Sequence, residues 1–246
     1  MGQLAALVHK VERAGATVDE VLADSKLLKV VGADDISAPY FTRLVTEESI
    51  VSALSHAMSE QEAGKLCEAG LKCAVDHFDY HGSPFWTSRA GFTLRSHAVK
   101  LGSCYQDFQY LHGWDFEDRP TTDSVLFCPP RLVPDSLGKN VDKQMVLLAK
   151  LREKFGLPAY FFNSFGESST LSGIILTNYN QTGECVPLNG LWVRTNTRLR
   201  GGGGRLGLGG FSRDGLGCDD WGWGGAGSSI GCLAPGVVDL GKSANL

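Results

Sequence analysis

No stretch of this 246-residue sequence approaches the roughly 20 consecutive apolar residues that cross a bilayer. Its first residues contain neither the basic start nor the apolar run of a secretory signal peptide. Positive charge is not in excess either, because 23 Lys and Arg stand against 27 Asp and Glu and the net charge is −4. We therefore expect a cytoplasmic protein with no membrane segment. The charge also argues against binding of nucleic acid by the whole surface, although a local basic face stays possible.

The seven cysteines are odd in number and irregularly spaced. This pattern predicts free thiols in a reducing compartment and not a disulfide framework. Cys73, His77 and His81 are four residues apart and would share one side of a continuous helix, as zinc ligands can. The ordinary interpretation is a half-buried thiol followed by two histidines at a helix end, where the dipole favours their charge. We predict no metal and no cofactor, and metal analysis of the purified protein tests the zinc hypothesis.

Three short motifs match the sequence but lack their structural context. A phosphate loop needs a helix that begins at its lysine, and less than one helical turn follows the motif, which ends at Ser243. A nucleophile elbow at Ser229 needs a later histidine, and the last histidine is His112. The dinucleotide pattern lacks its flanking strand and helix. The rejected segments are Gly236–Ser243, Gly227–Gly231, Gly202–Gly207 and Gly222–Gly227.

Helical spacing predominates before residue 83. Capping boxes at Thr17–Glu20 and Ser59–Glu62 predict two helix starts, because each hydroxyl can accept from an orphan amide and each glutamate can reach back. A further helix is predicted from Thr46 through Met58.

The middle of the chain contains both the three-to-four-residue spacing of helices and the two-residue alternation of strands. The strongest helix in the sequence is Val141–Phe155, with basic residues in its last turn and Gly156 after it. Another helix is predicted to end at Gly183. Strands are predicted at Phe92–Leu101 and at Ser124–Cys128, where two prolines end the second one.

Glycine is concentrated near the C-terminal end, where Gly201–Gly231 contains 14 of the 31 glycines. Glycine costs about 1 kcal/mol relative to alanine in a helix, so this segment predicts turns and short strands. From Cys185 onward the period is two, and Leu191–Leu199 alternates throughout. Arg205–Leu208 is its predicted hairpin partner.

These patterns predict an α+β fold with a helical N-terminal half, a long central helix and a small antiparallel, Gly/Trp-rich β region at the C-terminus. We expect a single domain over residues 1–246, with a helical part at about 1–83, a mixed part at 84–183 and a β-rich part at 184–240.

The alternation after Cys185 defines the leading candidate site. If one side of the strand faces the core, the other side carries cationic and aromatic side chains to solvent. Guanidinium groups beside an exposed indole suit a phosphate, a carboxylate or a stacked base. The ordinary alternative is a solvated strand face whose arginines pair with Asp214, Asp219 and Asp220. The predicted ligand-binding residues are Trp192, Arg194, Asn196, Arg198 and Arg205.

A second hypothesis is a cysteine-dependent hydrolase or amidotransfer-type enzyme. Its nucleophile would be Cys104, with His112 as base and Asp115 as the orienting carboxylate. The ordinary alternative is a buried, inert cysteine.

Taken together, the sequence favours a binding or interaction protein over an enzyme. Its predicted partner is an anionic ligand or another protein, with no membrane contact and with nucleic acid not excluded. The substrate or ligand is not specified by these patterns.

Overall fold

The computed structural model describes residues 39–95, 115–188, 190–199, 204–212, 215–222 and 227–241. Within them lie four α-helices and eight strands in two sheets, and helices account for 36% of the described residues. The predicted capping box at Thr17–Glu20 lies outside these residues, as do Cys104 and His112. The strands are β1 (Phe41–Arg43), β2 (Phe85–Ser88), β3 (Ser124–Phe127), β4 (Trp192–Arg198), β5 (Gly204–Ser212), β6 (Gly215–Gly222), β7 (Ile230–Gly231) and β8 (Gly236–Asp239).

The four helices lie where the sequence predicts them, although the first ends at Leu54, four residues before the predicted Met58, and the last has no side-chain cap at its start. They are α1 (Glu47–Leu54), α2 (Glu60–Phe78), α3 (Val141–Phe155) and α4 (Ser168–Thr182). Thr46 and Ser59 form capping boxes with the third residue of α1 and α2. Gly156 and Gly183 follow α3 and α4 with φ of 60° and 74°, the left-handed conformation that ends a helix. The predicted helices at these places are confirmed.

The first sheet has the order β1-β2-β3-β8, and every pair in it is antiparallel. Its central strands are buried on both faces. One face packs on α1, α2 and α3, and the other packs on α4. The predicted strand at Ser124–Cys128 is confirmed as β3.

The second sheet has the order β6-β5-β4-β7. Its strands pair antiparallel except for β7, which runs parallel to β4. Helix α4 lies between the two sheets, and ten of its fifteen residues are buried. Five of these ten are polar, so the helix is buried on nearly all sides without being apolar on all of them; the five are Ser168, Ser169, Ser172, Thr177 and Asn178.

The predicted fold class is wrong in two respects. The described part of the N-terminal half is not all helical, because β1 and β2 precede residue 90. The C-terminal β region is neither small nor wholly antiparallel, since it holds four strands and one parallel pair. Strands of three and four residues are too short to show a period of two, which explains the first error. The single-domain assignment stays a prediction.

One local prediction also fails. Phe92–Arg95 is not part of a strand, although the strand was predicted from Phe92 onward. The rejected phosphate-loop segment begins as a strand, because Gly236–Asp239 pairs with β3, and this agrees with its rejection. None of the helices in the described ranges is long and apolar enough to cross a membrane.

Candidate functional site

The predicted strand after Cys185 exists and has the predicted inward face. Trp192–Arg198 forms β4, and its hairpin partner is β5, in which Val193 lies opposite Leu208. The four predicted core residues are all buried, and they are Val193, Thr195, Thr197 and Leu199. These parts of the prediction are confirmed.

Arg194 does not face solvent, and its predicted exposure is wrong. The residue is only 1% exposed. Its Nε donates to Oε1 of Gln144 on α3 at 2.9 Å. Gln144 in turn donates through Nε2 to the carbonyls of Ser136 and Ile230 at 2.8 and 3.3 Å. Burial lowers the pKa of Arg194 below its ordinary value. Helix α3 covers this part of the strand, so Arg194 belongs to the interior.

Asn196 is half-buried, and it forms hydrogen bonds with the backbone of the neighbouring segment. Its Oδ1 accepts from the backbone N–H of Phe165 at 3.2 Å, and its own N–H donates to the carbonyl of Gly166 at 2.7 Å. The Arg205 guanidinium donates to the Asn196 carbonyl. The pairing register of β4 also shifts between Arg194 and Arg198. Asn196 therefore joins the strand to the segment before α4.

Three of the remaining side chains form a row across the second sheet. Arg198 lies directly opposite Arg205, and Arg205 lies directly opposite Trp221 on β6. Directly opposed residues share a face, so two guanidinium groups and an indole stand side by side. Arg198 is exposed and has no hydrogen bond or ion pair with the described residues. Burial and, next, the charge of Arg198 lower the pKa of Arg205, while Glu167 opposes the shift.

Glycines in β5 make room for two indoles on the same face. A Cβ at Gly207 would meet the Trp221 ring, with its Nε1 at 3.0 Å, and one at Gly210 would lie 3.0 Å from Cζ2 of Trp192. The centroids of the Trp192 and Trp221 rings are 6.2 Å apart, with their planes at 48°. Both tryptophans are half-exposed. The glycines therefore let both aromatic rings approach the backbone of β5 closely.

We call the surface formed by Trp192, Arg198, Arg205 and Trp221 the ribbon face. The sequence-based site included the first three of these residues and left Trp221 as a packing residue. A signal for Trp221 was present, because the glycines of β5 alternate with Leu206 and Leu208 and so mark a face without side chains. Acidic groups also border it, since Asp219 lies opposite Gly207.

The cysteine-enzyme hypothesis stays a prediction. Cys104 and His112 lie outside the described residues, and Asp115 begins a short 3-10 turn, Asp115–Asp118. Rapid alkylation of Cys104 at neutral pH, compared with the other thiols, is the test of that hypothesis, because the thiolate is the reactive form.

Cys73, His77 and His81 do not share one face of a helix, because the helix ends before His81. Helix α2 ends at Phe78, and Asp79 is left-handed with φ of 49°. Burial raises the pKa of the Cys73 thiol to about 12, which opposes the thiolate that zinc requires. Among the described residues there is no cluster of three or more His, Cys, Asp or Glu side chains that could hold a metal ion.

No protein-family model matches this sequence, and the comparisons with curated proteins and with solved structures found no match either.

Proposed function

We propose that this protein binds an anionic ligand that also carries a flat ring, and that the ribbon face is the binding surface. The observation that carries the proposal is the direct opposition of Arg198 and Arg205 across β4 and β5. Like charges placed opposite each other destabilise a sheet. Arg205 also donates to the Asn196 carbonyl, but the described contacts give Arg198 no such role, and a bound anion would offset the repulsion between the two.

The neighbouring groups favour a ligand with two distinct parts. Guanidinium groups bind phosphate and carboxylate oxygens through charge-assisted hydrogen bonds. Indoles stack on flat rings and are the strongest aromatic partners of such ligands. From Arg205 to Gly209, beside which the Trp192 ring lies, β5 covers about 13 Å at roughly 3.3 Å per residue. A nucleotide is a simple molecule that presents a phosphate at one end and a ring at the other.

The acidic neighbours restrict the proposal to a local site. The charge of Glu167 partly opposes the lowering of the Arg205 pKa that burial and Arg198 cause, and Asp219 shares the face. With a net charge of −4, the surface as a whole repels polyanions. We therefore propose a single ligand, or a short nucleic-acid segment, and not a long basic track.

The test is a titration of tryptophan fluorescence with adenosine monophosphate, with adenosine and inorganic phosphate in parallel. Arg198→Ala is expected to weaken nucleotide binding about 10- to 100-fold, because a hydrogen bond to a charged group is worth roughly 1.5–3 kcal/mol. Arg152→Ala, at a half-exposed arginine in the last turn of α3, is the matched control and should bind as the unmodified protein does.

Two results would each refute a part of the proposed function. Equal affinity of the unmodified protein and Arg198→Ala would refute the role of the arginine pair. Binding of neither the nucleotide nor a short oligonucleotide would refute the ring-bearing anion as ligand.

A further inference from the structure

A second polar cluster lies at the edge of the first sheet, away from the ribbon face. Arg43, on the edge strand β1, is the register partner of Trp86 on β2. Its guanidinium carbon is 4.4 Å from the centroid of the Trp86 ring, within the range of a cation–π contact. Nη2 of Arg43 donates to Oδ1 of Asn178 on α4 at 2.5 Å. One edge of the guanidinium is thus held by a neutral amide.

Tyr80, just after α2, lies between two cations. The guanidinium carbons of Arg43 and Arg131 are 6.0 and 5.9 Å from the centroid of its ring. Arg131 forms an ion pair with Glu184, N to O 3.3 Å, and both side chains are half-exposed. Arg43 forms no ion pair with the described residues. The Arg43 cluster, defined as Arg43, Tyr80, Trp86, Arg131 and Asn178, therefore contains more positive than negative charge.

Two hydrogen-bond donors in this cluster have no acceptor among the residues that the structure describes. They are Nε of Arg43 and the hydroxyl of Tyr80, and both atoms are enclosed. Tyr80 as a whole is only 9% exposed. Buried donors are nearly always satisfied in folded proteins, and a charged donor without an acceptor is especially costly. The two unsatisfied donors therefore point to a missing acceptor.

The backbone at Gly82 lies close to the hydroxyl of Tyr80. A Cβ at Gly82 would lie 2.6 Å from the Tyr80 hydroxyl oxygen. The turn between α2 and β2 therefore passes directly over this group, and it can do so because residue 82 has no side chain.

We propose that the Arg43 cluster binds a small oxyanion, a carboxylate or a phosphate, that accepts hydrogen bonds from Arg43 Nε and the Tyr80 hydroxyl. Trp86 forms one wall, and Arg131 supplies a second positive charge. Burial raises the pKa of Tyr80, so the hydroxyl keeps the proton that it donates. The proposal is independent of the ribbon face, because no residue is shared.

The test compares Tyr80→Phe with the unmodified protein in thermal denaturation. Each is measured in sodium phosphate, in sodium acetate and in sodium chloride at equal ionic strength. We expect phosphate or acetate to raise the melting temperature of the unmodified protein above its value in chloride, since a ligand that binds only the folded state stabilises it. Tyr80→Phe should lose most of that rise. The anion that gives the larger rise identifies the preferred class.

Two controls make the result specific. Phosphate stabilises folded proteins in general, so the decisive quantity is the difference between Tyr80→Phe and the matched variant Tyr160→Phe. Tyr160 is exposed and lies beside Glu62 and Ala69 of α2, whereas Tyr80 follows the other end of that helix. Arg43→Gln should abolish the rise as well, and Tyr80→Phe decides alone if that variant does not fold. An equal rise in Tyr80→Phe and Tyr160→Phe, or no rise in the unmodified protein, would overturn the proposal.

Discussion

Replacement of Arg194 by alanine is expected to destabilise the protein strongly, whereas the same change at Arg198 is not. The two residues lie on one strand, and a strict alternation would give them the same exposure. In the structure Arg194 is buried against α3, while Arg198 is exposed. Arg198→Ala is therefore expected to change the free energy of unfolding by less than about 0.5 kcal/mol.

The magnitude for Arg194→Ala follows from its contacts. The variant leaves Oε1 of Gln144 without its donor at 2.9 Å, which costs about 1–3 kcal/mol. Deletion of the buried stem leaves a cavity that costs roughly 2 kcal/mol more. Removal of a buried charge offsets part of this loss. The expected net destabilisation is about 3 kcal/mol. Arg194→Met keeps the volume of the stem and should lose only about 1 kcal/mol.

Urea denaturation followed by circular dichroism measures these differences directly. The expected order of stability is unmodified protein, then Arg194→Met, then Arg194→Ala, with Arg198→Ala equal to the first. An Arg194→Ala variant as stable as Arg198→Ala would show that Arg194 is not part of the core. The assignment of Arg194 to the interior, and not to the ribbon face, would then be wrong.

Three further outcomes are expected. Gly64→Ala should stabilise α2 by about 0.5–1 kcal/mol, since a Cβ there meets nothing within 4 Å. Gly70→Ala in the same helix should destabilise by about 1–3 kcal/mol, because its Cβ would lie 2.5 Å from a buried phenylalanine ring; urea denaturation measures both. Gly207→Ala should displace the Trp221 indole, which is expected to shift the tryptophan emission maximum and to weaken nucleotide binding. An unchanged spectrum would contradict the close contact between Gly207 and that ring. Burial raises the pKa of the Cys128 and Cys232 thiols to about 12, so both should resist iodoacetamide at pH 8. Unfolded thiols ionise near pH 8.5, so stability should fall as the pH rises from about 9 toward 12, and a flat unfolding profile over that range would contradict this.

Helix boundaries could be predicted from the sequence because they depend on local chemistry. The hydroxyl of Ser59 accepts from the backbone N–H of Glu62 whatever else the chain does, and Gly156 provides the left-handed turn after α3 wherever that helix packs. The strand pair β4–β5 was predictable for a similar reason, since hairpin contacts are between neighbours in sequence. These elements need no knowledge of the remaining fold.

The sequence could not predict which distant helix covers which part of a strand. Alternation shows that Arg194 and Arg198 point away from Val193, but it does not show that α3, fifty residues earlier, covers only the first of them. The Arg43 cluster depends on the same kind of distant contact, because Arg43 and Asn178 are 135 residues apart in sequence. Neither position stands in a motif. Their chemistry becomes visible only when the sheet edge and α4 come together.

The two proposed sites lie near opposite ends of α4. Glu167, which precedes the helix, accepts from the Thr197 hydroxyl at 2.9 Å and influences Arg205, and Asn178 holds Arg43. Between them α4 covers about 16 Å at roughly 1.5 Å per residue. Because the helix is packed between both sheets, and close-packed interiors resist small displacements, we expect the sites to act independently. Arg198→Ala should then keep the full oxyanion-dependent rise in melting temperature, and Tyr80→Phe should keep full nucleotide affinity. A loss of either in the other site's variant would mean that α4 moves when a ligand binds.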